Sequence, residues 1–188
     1  MLTDNPLKAI IHIVLHLFRP HLIIRRLEDL DCNILVERGI RGVMLDLDNT
    51  LVPWGSQDLA QGVIDWVEKL REAGLRGCIV TNASRKSRVR PVAERLGLPW
   101  ITTANKPLPW GFTRGMAVLG TTPHTSAMVG DLMTMDVLGG KRLGIFTILV
   151  EPLSSREALA TRILQRPIER LLRFAHRRKG HFPLEHRK

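Results

Sequence analysis

The sequence predicts an α/β fold in which a three-layer, Rossmann-like parallel sheet is flanked by helices. Short apolar runs alternate with segments of helical spacing from Gly42 to Val150. Repeated strand and helix units of this length place the strands in a parallel sheet and cover both of its faces with helices. The chain has 188 residues, which is enough for one domain with a buried core and too few for a large multidomain protein.

The predicted elements follow one another without long gaps. Residues 42–48 form an apolar run that ends in acids, and residues 75–81 form a second apolar run. Between them, residues 58–73 have apolar side chains at helical spacing and stop before Gly74. The later elements are a helix over 85–96, a strand over 100–103, a helix after Pro109, a strand over 126–130, a short helix and a last strand over 143–150.

Two amphipathic segments are predicted to flank this core, so we divide the chain into three parts. Residues 1–40 hold an N-terminal amphipathic helix, which begins near Asn5, and a connecting segment. Residues 41–152 form the α/β core, and residues 153–188 form a basic, helical C-terminal tail. Each terminal helix could pack on the core or lie on a membrane surface, and the sequence leaves both alternatives open.

Charge and composition limit the possible partners. The chain has 28 Lys and Arg against 18 Asp and Glu, a net charge of +10, and most of the excess lies in residues 161–188. This charge predicts attraction to polyanions such as nucleic acid, anionic lipid or a phosphorylated substrate. Only 5% of the residues are aromatic and Tyr is absent, so few side chains can stack on bases, and nucleic acid is disfavoured.

Cysteine usage and hydropathy bear on location. The two cysteines, Cys32 and Cys78, are too few for a disulfide framework, which favours a reducing compartment. No apolar run reaches the roughly 18 to 20 residues of a membrane-spanning helix, and the N-terminal segment lacks the small-residue cleavage region of a signal peptide. We therefore expect a cytoplasmic protein. The apolar N-terminal helix and the basic tail add the expectation that it associates peripherally with the inner face of a membrane.

Polar residues follow the ends of the predicted strands, where open parallel sheets bind their ligands. Any one of these acids alone could cap a helix or belong to a turn. Their concentration at one edge of the sheet instead predicts a functional site. The residues concerned are, in chain order, Asp46, Asp48, Thr81, Asn82, Lys106 and Asp131.

These residue types suit the hydrolysis of phosphate esters. Asp46 and Asp48 share one face of an extended segment, and their like charges require a cation nearby. We predict Mg²⁺ on Asp46, Asp48 and Asp131, because this hard cation prefers oxygen ligands. Asp46 is predicted to attack phosphorus, forming an aspartyl-phosphate, and Asp48 to act as general acid and base. The residues predicted to hold the phosphoryl group are Thr81, Asn82 and Lys106.

The same residues resemble, in order and spacing, the four motifs of the haloacid dehalogenase (HAD) superfamily of phosphatases. Residues 46–50 (DLDNT) resemble the first motif, DxDxT, and residues 130–136 (GDLMTMD) resemble the fourth, GDxxxxD. Thr81 and Lys106 resemble the second and third. The resemblance implies that Asp136 supports Lys106 or the metal. It also implies an open, capless site, because each interval between motifs has room for only one repeat.

A closer resemblance extends over most of the chain. Residues 19–26 (RPHLIIRR), 45–54 (LDLDNTLVPW) and 130–140 are similar to the YqeG family of bacterial phosphatases, which in turn is similar to mitochondrial phosphatidylglycerophosphate phosphatases. This resemblance implies conversion of phosphatidylglycerophosphate to phosphatidylglycerol at a membrane surface. Leu132 and Met135 depart from the more usual polar residues of the fourth motif. Two alternatives stay open: a phosphatase of soluble phosphomonoesters or nucleic-acid ends, and a catalytically silent docking module.

Overall fold

The computed structural model describes residues 16–154 of the chain. Only the end of the predicted N-terminal helix falls within this range, where residues 16 and 17 are helical. The predictions for the rest of that helix and for the helical tail after Ser154 lie outside the described residues. No helix within the described range has both the length and the apolarity needed to cross a membrane.

In the described part of the chain, six parallel strands form a single sheet. The strands are β1 (Leu22–Ile24), β2 (Gly42–Leu45), β3 (Arg76–Val80), β4 (Trp100–Ile101), β5 (Ser126–Gly130) and β6 (Phe146–Val150). Their spatial order is β1-β6-β5-β2-β3-β4, and every neighbouring pair is parallel. From β2 the chain adds β3 and β4 on one side and then returns to add β5 and β6 on the other. The order therefore reverses between β2 and β5, the point at which open sheets of this kind form a ligand crevice.

Within residues 16–154, five α-helices connect the strands. They are α1 (Cys32–Glu37), α2 (Gln61–Glu72), α3 (Lys86–Leu96), α4 (Pro109–Leu119) and α5 (Leu138–Arg142). Short 3₁₀ turns at Leu27–Asp29 and Pro123–Thr125 and a π-helical turn at Met133–Val137 complete the described residues. The interval between β2 and β3 holds one helix, as does the interval between β3 and β4. The described part of the chain therefore contains no inserted cap domain, as predicted.

The core is divided between the two faces of the sheet because side chains alternate along each strand. Val43 and Leu45 of β2 point to the face covered by α1, α2 and α3. Met44 points to the opposite face, where it packs in one cluster with Phe112 of α4. Trp66 of α2 is buried, and its indole Nε1 donates a 2.7 Å hydrogen bond to the carbonyl of Leu30.

The predicted parallel α/β sheet is confirmed, and the structure adds elements that the sequence did not reveal. β1 and α1 lie in the segment predicted as a connection, and Cys32 and Leu35 of α1 are buried in the core. The division of the chain at residue 41 stays a prediction, whereas the sheet itself begins at Leu22. The last strand starts at Phe146, three residues later than predicted, because Gly144, with φ 77°, lies in a turn that follows α5.

Candidate active site

Asp46 is fixed at the carboxyl end of the central strand. Its backbone N–H donates to the carbonyl of Val129 in β5, so β2 and β5 stay paired up to this residue. The loop that follows folds back on itself, since the N–H groups of Leu51 and Val52 both donate to the carbonyl of Leu47. All three of these apolar side chains are buried. The loop is thus anchored in the core, and Asp46 is held on a rigid support.

Lys106 joins two carboxylates at this position. Its ammonium Nζ lies 2.6 Å from Oδ1 of Asp46 and 2.6 Å from Oδ1 of Asp136. The side chain of Lys106 is only 2% exposed, so these ion pairs are formed away from bulk water. Buried charges of this kind are stable only when they are paired and hydrogen-bonded. Asp136 is thus a buried partner of Lys106; the family resemblance implies that it supports Lys106 or the metal.

Burial and charge shift the titration of this group of residues. The pKa of Asp46 is raised to about 7, mainly by burial; Lys106 acts in the opposite direction, and the carboxylates of Asp136 and Asp48 act in the same direction as burial. Burial alone would lower the pKa of Lys106, but its contacts with Asp136 and Asp46 outweigh burial and raise that pKa. Lys106 is thus a permanent cation, and one lysine does not compensate all the carboxylates around Asp46.

Three buried carboxylates form a candidate cation site. Carboxylate oxygens of Asp46, Asp131 and Asp136 all lie within 4.8 Å of one another, and each residue is buried. Three negative charges against the single positive charge of Lys106 leave an excess that a divalent cation would balance. Oxygen ligands in a small, negatively charged pocket match the preference of hard cations. The residues present therefore fit a divalent metal ion.

Gly130 makes room for Asp136 at the end of β5. A Cβ atom at residue 130 would lie 2.2 Å from Cγ of Asp136, a distance that no packed structure tolerates. The second carboxylate oxygen of Asp136, Oδ2, accepts a hydrogen bond from the N–H of Leu132 at 3.1 Å. Both oxygens of Asp136 therefore have partners, and the small residue before Asp131 is a steric requirement of the site.

Thr81 and Asn82 follow β3 and face the same edge. The Thr81 hydroxyl is buried and accepts a 3.1 Å hydrogen bond from the N–H of Ala83, so its own proton remains to be donated. The Asn82 amide binds the backbone of Lys106 in both directions, as Nδ2 donates to its carbonyl and Oδ1 accepts from its N–H. The side chain of Asn82 thus holds the Lys106 loop, whereas the sequence assigned it to phosphate.

Asp48 is held by a residue that the sequence analysis did not identify. Arg88 of α3 forms a two-point contact with it, from Nη1 to Oδ1 at 2.8 Å and from Nη2 to Oδ2 at 2.6 Å. The N–H of Gly55 donates to the same Oδ1 at 3.0 Å. The Asp48 carboxylate is therefore engaged outside the cluster of three carboxylates, although the sequence placed it among the metal ligands.

Three residues next to Asp48 and Lys106 in the chain have an unfavourable backbone conformation. Asn49, Thr103 and Asn105 have positive φ values of 62°, 50° and 54°. This conformation is unfavourable for residues other than glycine, and most of all for a β-branched residue such as Thr103. Asn49 directly follows Asp48, and the other two precede Lys106. The fold thus maintains strained turns beside the residues that carry the charge.

The structure brings most of the predicted site residues together. Asp46, Lys106 and Asp131 meet at one edge with Asp136, and Thr81 lies on the adjacent strand end. Arg88 was missed, yet the sequence around it contains a signal. Arg85, Lys86 and Arg88 cluster at the start of α3, where the helix dipole disfavours positive charge. Cations placed there despite the dipole indicate a nearby anionic partner.

Comparisons with known proteins agree with this geometry. A family model described as haloacid dehalogenase-like hydrolase matches residues 54–144, and a model described as mitochondrial PGP phosphatase matches residues 7–91. An uncharacterized protein from Listeria monocytogenes serotype 4b superposes with a TM-score of 0.51, at 18% identity over 72% of this chain and 99% of that one. At this identity the likeness bears on the fold alone. Fold and motifs together define a HAD-type phosphatase.

Relatives of similar sequence show to which family of HAD-type phosphatases the chain belongs. The probable phosphatase YqeG of Bacillus subtilis (strain 168) is 38% identical over 80% of this chain and 87% of its own length. The chain therefore belongs to the YqeG family of HAD-superfamily phosphatases. Phosphatidylglycerophosphate phosphatase 1, chloroplastic/mitochondrial, of Arabidopsis thaliana is 27% identical over 89% of this chain, which spans about half of that relative's length.

Proposed function

We propose that this chain hydrolyses phosphomonoesters through a covalent aspartyl-phosphate on Asp46, and that its substrate is phosphatidylglycerophosphate. The observation that carries the proposal is the buried ion-paired cluster of Asp46, Lys106 and Asp136 beside Asp131. Such a cluster is costly to bury and has no packing advantage over apolar side chains. Its position at the point where the strand order reverses supports a role in chemistry.

In the first step a carboxylate oxygen of Asp46 attacks phosphorus, and the bond from phosphorus to the ester oxygen breaks. Asp48 must first release one carboxylate oxygen from Arg88 and take up a proton there; it then donates that proton to the departing oxygen, so that an alcohol leaves instead of an alkoxide. In the second step water attacks the phosphorus of the aspartyl-phosphate, and Asp48 takes up the proton. Inorganic phosphate leaves, and Asp46 is restored as a carboxylate. Lys106 and the Thr81 hydroxyl stabilise the transferring phosphoryl group.

Mg²⁺ is the cofactor that fits this arrangement. Asp46 and Asp131 are the proposed side-chain ligands, since both oxygens of Asp136 are used by Lys106 and the N–H of Leu132. When bound, the ion would neutralise charge on the phosphate oxygens and keep Asp46 ionised. Asp48, whose carboxylate is bound by Arg88, is a proposed ligand only through its backbone.

The lipid substrate is supported by similarity and by the open site. The PGP phosphatase model and the 27% identical relative from Arabidopsis thaliana both carry that activity in their names. An active site without a cap suits a phosphate on a bulky molecule or at a surface better than a small metabolite that must be enclosed. We therefore place the proposed reaction at the surface of an anionic membrane, to which the basic tail would contribute attraction.

The test is phosphate release from phosphatidylglycerophosphate in mixed micelles, with and without Mg²⁺. We expect release that depends on Mg²⁺ and is abolished in the Asp46→Asn variant. That variant keeps the size of the side chain and removes the nucleophile, so it serves as the matched blank. An aryl phosphate serves as the second substrate, because its good leaving group reports the chemistry without any lipid requirement.

The outcomes separate the proposal from its alternatives. Turnover of the aryl phosphate without turnover of the lipid would contradict the proposed substrate and favour soluble or nucleic-acid phosphates. Turnover of neither substrate, in protein that is folded and supplied with Mg²⁺, would contradict the proposed chemistry and favour a catalytically silent docking module.

A further inference from the structure

Exposed apolar side chains are concentrated at the edge of the sheet that holds the site. Six large apolar side chains of the described residues are exposed, and four of them lie in the segments that follow strand ends or begin the next helix there. We call these four the apolar rim: Trp54, Leu108, Trp110 and Leu153. Exposed apolar patches of this kind mark interaction surfaces more often than scattered single residues do.

One side of the rim is built around Asn49. The N–H of Trp54 donates to Oδ1 of Asn49 at 3.2 Å, and the N–H of Leu153 donates to its backbone carbonyl at 3.1 Å. The hydroxyl of Ser154 donates to the same Oδ1 at 2.7 Å. Two loops that are distant in sequence are thereby tied together three residues after Asp46. Trp54 is 42% exposed although its backbone is fixed, so its exposure does not come from a loose loop.

The other side of the rim follows Lys106. Leu108 is 56% exposed and Trp110 is 45% exposed, and both lie within four residues of the lysine that contacts Asp46. The N–H of Leu108 donates to the carbonyl of Asn105 at 2.9 Å, which closes the turn that leads into α4. The rim thus has residues from the Asp46 loop on one side and from the Lys106 loop on the other.

Basic side chains are exposed beside the apolar rim. The guanidinium of Arg114 lies 4.7 Å from the ring centroid of Trp110, a cation–π distance. The exposed basic residues near the strand ends are Arg25, Arg26, Arg85, Lys86 and Arg114, and the exposed acids in these loops are Asp29, Asp31, Asp58 and Glu151. Tryptophan beside arginine and lysine is the composition of surfaces that sit at the headgroup level of anionic bilayers.

We propose that the apolar rim docks this enzyme on an anionic bilayer, with Trp54 and Trp110 inserted at the headgroup level on either side of the site. Docking in this orientation turns the opening above Asp46 toward the lipid phosphates. The inference rests on the proposed function, since docking serves to bring the site to a lipid substrate. Its test is independent of that function, because binding is measured on lipids that the enzyme does not hydrolyse.

The experiment uses the full chain and vesicles of phosphatidylcholine with or without phosphatidylglycerol, whose acyl chains carry bromine. Bromine in the acyl chains quenches only tryptophans that reach the bilayer. The chain has four tryptophans, and two of them, Trp66 and Trp100, lie outside the rim. We expect brominated vesicles that contain phosphatidylglycerol to quench the wild-type emission, and we expect most of that quenching to be lost in the Trp54→Phe, Trp110→Phe double variant.

A functional comparison distinguishes docking from catalysis. In a Trp54→Ala, Trp110→Ala variant, the ratio of vesicle-bound lipid turnover to soluble aryl phosphate turnover is expected to fall roughly tenfold. Val118→Ala serves as the control, because Val118 is equally exposed but lies at the far end of α4. The control should leave both quenching and the ratio unchanged.

Two results would overturn the proposal. One is full-length protein that sediments with the vesicles while neither rim tryptophan is quenched, as expected if residues 155–188 or another protein cover the rim. The other is an equal loss of lipid and aryl phosphate turnover in the alanine variant, which would place the tryptophans in catalysis. If wild-type protein is quenched but never hydrolyses phosphatidylglycerophosphate, the docking surface stands and the proposed substrate fails.

Discussion

Arg88 holds the carboxylate of Asp48 at both oxygens, with contacts of 2.8 and 2.6 Å. A planar guanidinium that binds a carboxylate in this two-point geometry fixes its orientation as well as its charge. Both side chains are about one fifth exposed, so the pair is partly open to solvent. Asp48 is the proposed general acid and base, and Arg88 is therefore a positioning residue for it.

Replacing Arg88 is expected to affect poor leaving groups more than good ones. In the proposed mechanism an alkyl phosphate needs a proton from Asp48 as its alcohol departs, whereas an aryl phosphate leaves with little assistance. For Arg88→Gln we expect kcat to fall roughly tenfold or more on an alkyl phosphate and much less on an aryl phosphate, with partial recovery in Arg88→Lys. Arg90→Gln is the matched control, because Arg90 pairs with Glu94 on the exposed face of the same helix. Equal losses on both substrates would contradict the positioning role.

Removing Lys106 is expected to cost both stability and activity. Lys106→Met leaves the buried carboxylates of Asp46 and Asp136 without their cation, and breaking a buried ion pair in this way costs about 3 to 5 kcal/mol. Adding Asp136→Asn removes one of the orphaned charges, so urea unfolding should show that the double variant regains part of this stability. Phosphatase activity should remain absent from both variants. A Lys106→Met protein as stable as the wild type would contradict the charge coupling.

A methyl group at residue 130 is expected to disable the site indirectly, by displacing Asp136. In Gly130→Ala the new Cβ would collide with Cγ of Asp136 and move the residue that supports Lys106. A displacement of about 1 Å at such a site costs roughly a hundredfold in rate. Gly62→Ala is the control, since its Cβ would meet only the flexible side chain of Glu28. Steady-state kinetics of the two variants test the prediction, and full activity in Gly130→Ala would refute it.

His21 is expected to make stability depend on pH below neutrality. Burial, together with the charges of Lys141, Arg38 and His16, lowers the pKa of His21 to about 4. Its Nδ1 accepts a 2.9 Å hydrogen bond from the N–H of Thr147, so the folded protein holds the neutral ring. The unfolded chain binds a proton near the ordinary pKa of about 6.5, so stability falls as the pH drops from 6.5 toward 4.

The measurement is urea unfolding of wild type and His21→Asn across that pH window. The asparagine keeps an acceptor for Thr147 but does not titrate, so the difference in unfolding free energy isolates the histidine. Because the His21 ring is partly open to solvent, screening reduces the effect, and we expect the wild type to lose about 1 kcal/mol more than the variant. Parallel pH profiles for the two proteins would contradict the assignment.

The convergence of Asp46, Thr81, Lys106 and Asp131 could be predicted because parallel strands bring their carboxyl ends to one edge. Once the apolar runs were identified as strands, the polar residues after them had to lie close together. The helices could be predicted for a different reason, because each shows apolar side chains at regular helical spacing over a long segment. Strand β1 escaped prediction because it has three residues at the edge of the sheet, too few to show a period.

Side-chain partners were harder to predict than positions. The contacts of Arg88 with Asp48 and of Asn82 with Lys106 cross between elements 24 or 40 residues apart, and no local pattern encodes them. Asn82 was assigned to phosphate on its position alone, while its amide in fact binds the Lys106 backbone. The role of Gly130 depends on a distance to Asp136 that only the folded chain defines.

The central claim is that phosphate is transferred to Asp46, and trapping the covalent intermediate tests it most directly. The Asp48→Asn variant lacks the base for the second step, so an aryl phosphate should phosphorylate it faster than water can release the phosphate. We expect acid-quenched protein to carry one hydroxylamine-labile phosphate, located by peptide mass spectrometry on Asp46. Phosphate on another residue, or turnover of the wild type with no trapped phosphoprotein in this variant, would contradict the account.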